Sequence, residues 1–226
     1  ADAYMGIPFF RNFSAGKYNA HNRNFDVICD DEGHTFFANF EGLLVYDNVE
    51  WRIVHTPDIS RVVSLNRDEE GNVVFEGINV TGRVLSVDGD SVRVSFAQRN
   101  GSSASGERIR ESAVDRWNEV EVYQRLSLND GRTLLATATE GVIAVDAQGR
   151  EVWRINVDNG LCSNSITKLA YDGKGTVWGA TDNGVFNISL SEIYTHFTEK
   201  EGLRGQISCI AMCGPDLMVG TFQGLY

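Results

Sequence analysis

The stretch YDGKGTVWGATDNGVFNI, from Tyr171 to Ile188, contains two turn sequences, each followed by a short apolar run that is typical of a β-strand. The first turn is rich in Asp and Gly, and the second, TDNG, ends in a glycine suited to a tight hairpin. A hairpin is marginally stable on its own and needs further strands beside it. The rest of the chain supplies such strands, because the same pattern recurs.

Clear copies of the pattern are DDEGHTFFANFEGLLVYD (Asp30–Asp47), NDGRTLLATATEGVIAVD (Asn129–Asp146) and CGPDLMVGTFQGLY (Cys213–Tyr226), and a weaker copy spans Asp68–Asp88. The glycine of the second turn gives a period of about 40 residues with one longer interval. We expect it to take a positive φ in each copy, at Gly42, Gly82, Gly141, Gly184 and Gly224.

Each period also carries one strand-like segment before the first turn and another after the second. Four short strands in about 40 residues are typical of a β-propeller blade. The 23 glycines and 3 prolines agree with an all-β fold of many tight turns. We predict one domain over 1–226, a β-propeller of about five four-stranded blades at about 20–57, 58–96, 119–158, 164–199 and 205–226.

The excess of the long interval falls in 97–118, which is polar and Gly/Ser-rich, and we expect an insertion loop there. The last copy ends after its third strand. Segment Ile7–Phe13 resembles an outer strand, so it is predicted to complete the fifth blade and close the ring, which would remove two sheet edges. The alternative, an N-terminal part of a larger propeller, stays open.

The net charge of −11 argues against nucleic acid or an anionic membrane surface as the main partner, because those need clustered Lys and Arg. The sequence contains no apolar run long enough for a membrane helix and no leader-like start. We expect a soluble chain whose membrane contact, if any, is made by segments outside it.

Part of the fourth copy, with the link before it, resembles the repeat of two-component regulator propellers. The matching positions are Gly160, Leu161, Ser163, Asn164, Asp172, Gly175, Trp178, Thr181, Gly184 and Val185. This resemblance implies the periplasmic sensor region of a Bacteroidetes signalling protein, in which tandem propellers precede an immunoglobulin-like domain, a membrane helix and a kinase or DNA-binding output. It further implies neighbouring sensor domains or a homodimer partner.

The residues that could perform catalysis are scattered. The four histidines form no HExxH pair, and the chain has no GxSxG or Walker sequence. Most carboxylates fall in turns, where they accept backbone hydrogen bonds. We predict no enzyme activity, no cofactor and no metal site in this chain. The cysteines, Cys29, Cys162, Cys209 and Cys213, are predicted to be small buried hydrophobes, and a disulfide stays open.

In a propeller, ligands usually meet the loops around the central channel. The links 17–24, 160–164 and 202–206 offer hydrogen-bonding side chains suited to hydroxyl-rich or anionic glycans, at Tyr18, His21, Asn22, Arg23, Asn164, Arg204 and Gln206. The alternative is that they only hold the links in shape. Trp117 closes the insertion and is predicted to contact a partner, whereas Trp178 is predicted to pack between blades.

We therefore predict an extracytoplasmic, non-catalytic sensor that responds to an oligosaccharide or other small ligand, with a polysaccharide-derived signal favoured. One alternative is a protein-interaction or structural propeller without a small ligand. The other is a glycan-active enzyme built on the same scaffold.

Overall fold

The computed structural model describes residues 6–98, 115–190, 195–197, 199 and 202–226. Within these ranges the chain is almost entirely β-structure. It opens with strands β1 (Ile7–Pro8) and β2 (Phe10–Phe13) and a single turn of helix, α1 (Ala15–Tyr18). The remaining strands form a series of antiparallel sheets, which we number as blades 1 to 5.

The first three blades follow in chain order. Blade 1 contains β3 (Asn24–Cys29), β4 (Thr35–Asn39), β5 (Gly42–Tyr46) and β6 (Trp51–Val54). Blade 2 contains β7 (Val62–Arg67), β8 (Val73–Gly77), β9 (Val80–Asp88) and β10 (Ser91–Gln98). Blade 3 contains β11 (Arg116–Trp117), β12 (Val120–Ser127), β13 (Thr133–Thr137), β14 (Val142–Val145) and β15 (Glu151–Ile155).

A 3-10 turn over Val157–Asn159 leads into blade 4, which contains β16 (Ile166–Tyr171), β17 (Thr176–Thr181) and β18 (Gly184–Ser189). The short strand β19 (Thr195–His196) follows. Blade 5 contains β20 (Ile207–Cys213), β21 (Asp216–Thr221) and β22 (Gly224–Leu225). The chain is thus an all-β protein of the β-propeller type, as the repeat predicts.

The blades lie side by side through their first strands, in the order 3, 4, 1, 2. Polar side chains join neighbouring blades. Gln124 of β12 makes two hydrogen bonds to the backbone of Leu169 in β16, at 2.7 and 3.1 Å. The Leu65 amide of β7 donates to the Asp26 carboxylate of β3 at 2.9 Å, which fixes blade 2 against blade 1.

Side chains in the two turns explain why the repeat keeps its polar residues. In the first turn, an aspartate accepts two backbone N–H groups, as Asp172 does from Lys174 and Thr176. In the second turn, a threonine hydroxyl accepts an amide and donates to the glycine carbonyl, as Thr181 does with Asn183 and Gly184. The same contacts recur in other blades, so these motifs are structural.

The N-terminal strand completes a different blade from the one predicted. β2 pairs with β18, Phe10 opposite Ile188 and Phe13 opposite Val185, so segment Ile7–Phe13 closes blade 4 and not blade 5. Phe13 then lies between Trp51 of blade 1 and Trp178 of blade 4, with ring centroids 5.3 and 5.6 Å away. These contacts, together with the strand hydrogen bonds, favour the observed pairing.

The segment expected as the outer strand of blade 4 pairs elsewhere as a result. β19 forms a two-residue ladder with β1, Ile7 opposite His196. Blade 5 has three strands in the described residues, and the whole of β20 is exposed to solvent. Cys209 and Cys213 are therefore exposed, contrary to the expectation that all four cysteines are buried. Burial raises the pKa of Cys29 to about 12.

Two further predictions were wrong in detail. The glycine predicted at the second turn of blade 2, Gly82, lies inside β9, where a Cβ would come within 2.1 Å of the Phe75 ring. Val80, the first residue of β9, occupies the position that glycine takes at the second turn of the other copies. The predicted insertion 97–118 is shorter at both ends, because β10 runs to Gln98 and Arg116–Trp117 form the extra strand β11. Residues 99–114 lie outside the described part of the chain.

Gly184→Ala tests the docking of β2 on β18. Gly184 has a φ of +111°, and a Cβ there would lie 2.8 Å from the Phe13 carbonyl oxygen. We expect the substitution to lower the free energy of unfolding by about 2–3 kcal/mol, from backbone strain and the clash together. The measurement is urea unfolding.

The matched control is Gly173→Ala, which has a φ of +74° and no atom within 4 Å of the added Cβ. It should cost only the backbone strain, about 1 kcal/mol. Equal losses in the two variants would contradict the docking of β2 at this position.

Asp47→Asn tests the turn between β5 and β6. Burial raises the pKa of Asp47, but hydrogen bonds from Arg52 and from the Glu50 and Val49 amides outweigh it and lower the pKa to about 2. The ionised carboxylate therefore stabilises the fold above the ordinary pKa of 3.8, and this contribution is lost as the pH falls through about 2. We expect the variant to lose about 1–2 kcal/mol at neutral pH.

The check is urea unfolding of wild type and variant from neutral pH to about pH 2. The difference should shrink below about pH 4. Asp31→Asn, at a side chain that is 93% exposed, is the control and should change stability by less than about 0.5 kcal/mol. A difference for Asp47→Asn that stays constant to pH 2 would refute the assignment.

Candidate functional site

An open cleft of about 550 Å³ lies where blade 4 meets blade 1. It is bounded by the end of β2, the helix α1, the link into blade 1 and the link into blade 4. Its lining residues are mostly small or polar: Asn12, Ser14, Ala15, Gly16, Ala20, His21, Asn22, Glu41, Cys162 and Asn183. Two links that the sequence singled out, 17–24 and 160–164, thus converge on one surface.

Buried side chains of the core hold the link into blade 1, residues 17–24, in place. The Tyr18 hydroxyl donates to the His21 carbonyl at 3.2 Å, and the Asn39 amide donates to the same carbonyl at 2.6 Å. Asn39 also donates to the Asn24 side chain at 2.8 Å, and both asparagines are fully buried. Because these buried side chains satisfy one another's hydrogen bonds, the position of His21 is set by the core.

The opposite wall is held by the closing strand. The Asn12 side chain donates to the Gly160 carbonyl at 2.7 Å and accepts the Cys162 amide at 3.0 Å. Asn183 donates to the Cys162 carbonyl and accepts from Asn22, at 3.1 and 3.3 Å. Burial raises the pKa of the Cys162 thiol, so it is neutral at physiological pH. The cleft therefore depends on β2 being docked.

Three groups of the cleft are left for a ligand. The His21 Nδ1 atom accepts the Arg23 amide at 3.1 Å, which leaves the proton of the neutral ring on Nε2. Within the described part of the chain, no hydrogen bond is made by His21 Nε2, by the Glu41 carboxylate or by the Ser14 hydroxyl. One ring N–H, one carboxylate and one hydroxyl can pair with several hydroxyl groups of a sugar.

An aromatic surface continues from the cleft. The His21 ring packs on Phe40 with centroids 4.6 Å apart, and Phe40 lies 6.5 Å from Phe25. Phe40 is 39% exposed, so part of its ring is open to solvent. An exposed ring next to hydrogen-bonding groups can stack against the C–H face of a pyranose.

The structure separates the predicted ligand residues into three groups. His21 and Asn22 line the cleft and Arg23 lies beside it, whereas Tyr18 is a core residue, 2% exposed, whose pKa burial raises. Asn164 accepts the Val157 amide at 2.9 Å and holds its link in shape, as the alternative interpretation has it. Arg204 and Gln206 are exposed in the link to blade 5, outside the cleft lining.

The structure also places the two tryptophans for which the sequence makes a prediction, Trp117 and Trp178. Trp178 is 3% exposed and packs between blades 4 and 1, which confirms the prediction. Trp117 is half-buried against blade 3, and its Nε1 donates to the Gly149 carbonyl at 3.1 Å. Its indole N–H already has a protein partner, and the contact with another molecule predicted for Trp117 stays a prediction.

Sequence reasoning missed Glu41 and Asn183. Both directly precede the glycine of the second turn. The sequence assigns that position a structural role as part of the repeat. That position points to the link end of each blade, and its identity varies between copies, from Glu41 and Glu140 to Asn183 and Gln223. Glu140 pairs with Arg154, whereas Glu41 does not pair with an arginine. Variation at a fixed position of the repeat is the signal that would have found them.

Among the residues that the structure describes, one group could hold a metal ion. Single ligand atoms of Asp30, Glu32 and His34 lie within 4.8 Å of one another. Asp30 already accepts the Gly33 and His34 amides and contacts the His34 ring at 2.7 Å. These bonds account for the cluster as part of the first turn of blade 1.

No protein-family model and no curated protein matches the chain. The chain is similar to the extracellular domain of BT3049 from B. thetaiotaomicron, described as a hybrid two-component system protein. The identity is 18% over 96% of this chain and 28% of that one, with a TM-score of 0.31. This neighbour is an extracellular domain of a protein of the class that the sequence resembles.

Two other solved structures are similar. PorZ, a surface component of the type-IX secretion system of Porphyromonas gingivalis, matches with 14% identity over 74% of this chain and 38% of that one, with a TM-score of 0.36. Virginiamycin B lyase from Staphylococcus aureus matches with 11% identity over 96% and 73%, with a TM-score of 0.31. The chain spans less than two fifths of the length of BT3049 and PorZ.

The described residues contain no helix long and apolar enough to cross a membrane.

Asn39→Ala tests how the cleft is held. The substitution removes one of the two donors to the His21 carbonyl and leaves the buried Asn24 side chain without one partner. We expect a loss of about 2–3 kcal/mol in the free energy of unfolding, measured with urea. Asn183→Ala, at an exposed side chain of the same cleft, is the control and should cost under about 1 kcal/mol. Similar losses would show that the buried pair does not fix the link.

Proposed function

We propose that this chain is the ligand-binding part of an extracytoplasmic sensor, and that it binds an oligosaccharide in the cleft between blades 4 and 1 without transforming it. The observation that carries the proposal is the convergence of two inter-blade links, 17–24 and 160–164, on one open cleft. His21 Nε2, Glu41 and Ser14 supply polar groups there that the scaffold does not use, and Phe40 supplies an exposed ring.

The signalling role rests on the sequence. The repeat of blade 4, with its link Gly160–Asn164 and its tryptophan strand, resembles two-component regulator propellers, whose sensor regions are periplasmic. Ligand binding can shift a signalling equilibrium only through different affinities for two states. The cleft offers such a difference, because one wall is the separate strand β2 and the other is blade 1.

The non-catalytic part of the proposal rests on how the carboxylates are used. Asp30, Asp146 and Asp172 each accept two backbone amides in their turns. These aspartates are committed to the scaffold. A glycosidase of the usual kind would need two free carboxyl groups facing one sugar bond.

The test is a panel of oligosaccharides from plant, algal and host polysaccharides, read by thermal shift and by titration calorimetry. A ligand present at a hundredfold excess over Kd should stabilise the fold by about 2.7 kcal/mol. That corresponds to about 5–10 °C in Tm for a domain of this size. Chromatography of the mixture should return the oligosaccharide unchanged.

Two substitutions place the binding in the cleft. Glu41→Gln should weaken binding about tenfold or more, since a hydrogen bond to a charged group is worth about 1.5–3 kcal/mol. Phe40→Ala should weaken it about two- to tenfold, since a stacked ring is worth about 0.5–1.5 kcal/mol. Glu69→Gln and Phe222→Ala, at exposed positions away from the cleft, are the matched controls and should bind normally. Binding that both cleft variants retain would refute the site.

A second candidate function, a protein-interaction propeller, is favoured by one observation. Blade 5 exposes a group of large apolar side chains, with Ile210 60%, Met212 65% and Phe222 82% exposed. Such a surface on a folded chain commonly meets another protein. This candidate gains if no oligosaccharide shifts Tm and the chain elutes as a dimer, or as a complex with an adjoining sensor domain.

A further inference from the structure

Two arginines lie at the same position of neighbouring blades. Arg23 directly precedes β3, and Arg61 directly precedes β7. The first residues of these strands, Asn24 and Val62, form equivalent register pairs with the ends of β4 and β8. Because the first strands of blades 1 and 2 lie side by side, the repeat brings the two guanidinium groups to the same end of the fold.

The guanidinium groups of both arginines lie against one aromatic ring, that of Phe25. The guanidinium carbon of Arg23 lies 5.1 Å from the centroid of the Phe25 ring, and that of Arg61 lies 5.8 Å from it. Both arginines are exposed. A cation over a ring is attracted by the negative face of the ring. The ring thus orders two long side chains that would otherwise move freely.

The carboxylates near them in sequence are engaged elsewhere. Asp26 accepts the Val27 and Leu65 amides, and Asp58 accepts the Ser60 hydroxyl and the Asn79 amide. In the described ranges neither Arg23 nor Arg61 forms an ion pair. Most other arginines there do, namely Arg52, Arg67, Arg83, Arg93, Arg125, Arg132, Arg150 and Arg154.

Two guanidinium groups held against one ring repel each other, and an anion bound beside both offsets that repulsion. In a chain of net charge −11, two such cations without a carboxylate partner mark a site for an anion. The guanidinium fork matches a carboxylate in geometry. A nucleic acid is disfavoured, because two guanidinium groups are too few to offset its repulsion by the rest of the chain.

The pair is continuous with the cleft. Phe25 lies 6.5 Å from Phe40, and Phe40 lies 4.6 Å from His21, which lines the cleft. The backbone of Arg23 is also fixed, since its amide donates to His21 Nδ1 and its carbonyl accepts the Phe40 amide at 3.1 Å in both cases. A chain of several sugar units can extend from the cleft across Phe40 to the arginines.

We propose that Arg23 and Arg61 bind a carboxylate of a sugar acid, so that the ligand of the cleft is an oligosaccharide containing uronate units. This inference rests on the proposed function and names its ligand class. Neutral sugar hydroxyls would pair with His21, Ser14 and Glu41, and the uronate carboxylate would pair with the two guanidinium groups.

The experiment compares two ligands that differ only in charge, short oligogalacturonates and the same oligomers with their carboxyl groups reduced to alcohols. Binding of each is measured by titration calorimetry at low and moderate salt. The acidic oligomer should bind at least about tenfold more tightly, because a hydrogen bond between charged groups contributes about 1.5–3 kcal/mol. That preference should decrease as salt screens the charges.

Arg23→Gln and Arg61→Gln should each reduce the preference about threefold, so that the double variant abolishes it. Arg11→Gln is the matched control, because Arg11 also lies over a phenylalanine ring, 5.3 Å from the centroid of Phe9, but on the closing strand. It should leave the preference unchanged. All three arginines are exposed, and unchanged melting curves confirm that the variants fold.

The possible outcomes test the uronate assignment and the cleft proposal separately. Equal binding of both oligomers, or a preference that survives in the double variant, overturns the uronate assignment and leaves the cleft proposal standing. Acidic binding that needs the arginines but is indifferent to Glu41→Gln and Phe40→Ala supports the arginine site and contradicts the cleft. No binding of the acidic oligomer overturns the assignment, and a sulfated neutral oligomer that binds as tightly overturns the choice of a carboxylate.

Discussion

The docking of strand β2 on β18 is the interaction on which the rest of the structure depends. It adds the fourth strand to blade 4 and inserts Phe13 among Trp51, Tyr46 and Trp178, which joins blade 4 to blade 1. Asn12 of the same strand fixes the link into blade 4. The docking of β2 therefore builds both the core between blades 4 and 1 and one wall of the cleft.

In the proposed sensor, a ligand bound in the cleft acts directly on the junction of blades 4 and 1. The cleft lies across the junction of blades 4 and 1, with β2 and α1 on one side and the turn at Glu41 on the other. A ligand that contacts both sides favours the docked arrangement by its binding free energy. The ordered arginine pair on Phe25 extends the same surface to blade 2, so a longer acidic ligand would span three blades.

The repeat predicted much of the fold from local signals alone. Aspartate in the first turn and threonine before the glycine of the second turn act within a few residues, so their roles can be read from the sequence. The strand that pairs with β2 could not be predicted from such local signals. Blades 4 and 5 both present a strand that starts with glycine after a threonine turn, and the choice between them depends on contacts of Phe13 and Asn12 with residues 150 or more positions away. Gly82 and Trp117 are placed by nearer contacts, with Phe75 and Gly149, which also form only when the strands pack.

The site shows the same division. His21, Asn22 and Arg23 were found because their link carries several hydrogen-bonding side chains, whereas Glu41 and Asn183 occupy repeat positions that a structural role seemed to explain, and Arg61 lies in the part of the chain where the repeat is weakest. Only packing shows which copies leave such a side chain unpaired. The most direct test of the central interaction is an Arg11→Cys/Asn187→Cys variant, whose two sites face each other across β2 and β18. Mild oxidation should join them in a disulfide, with the wild-type melting temperature kept or raised. Failure to cross-link, together with cross-linking of the same Arg11→Cys site to a Leu225→Cys site in blade 5, would contradict the account.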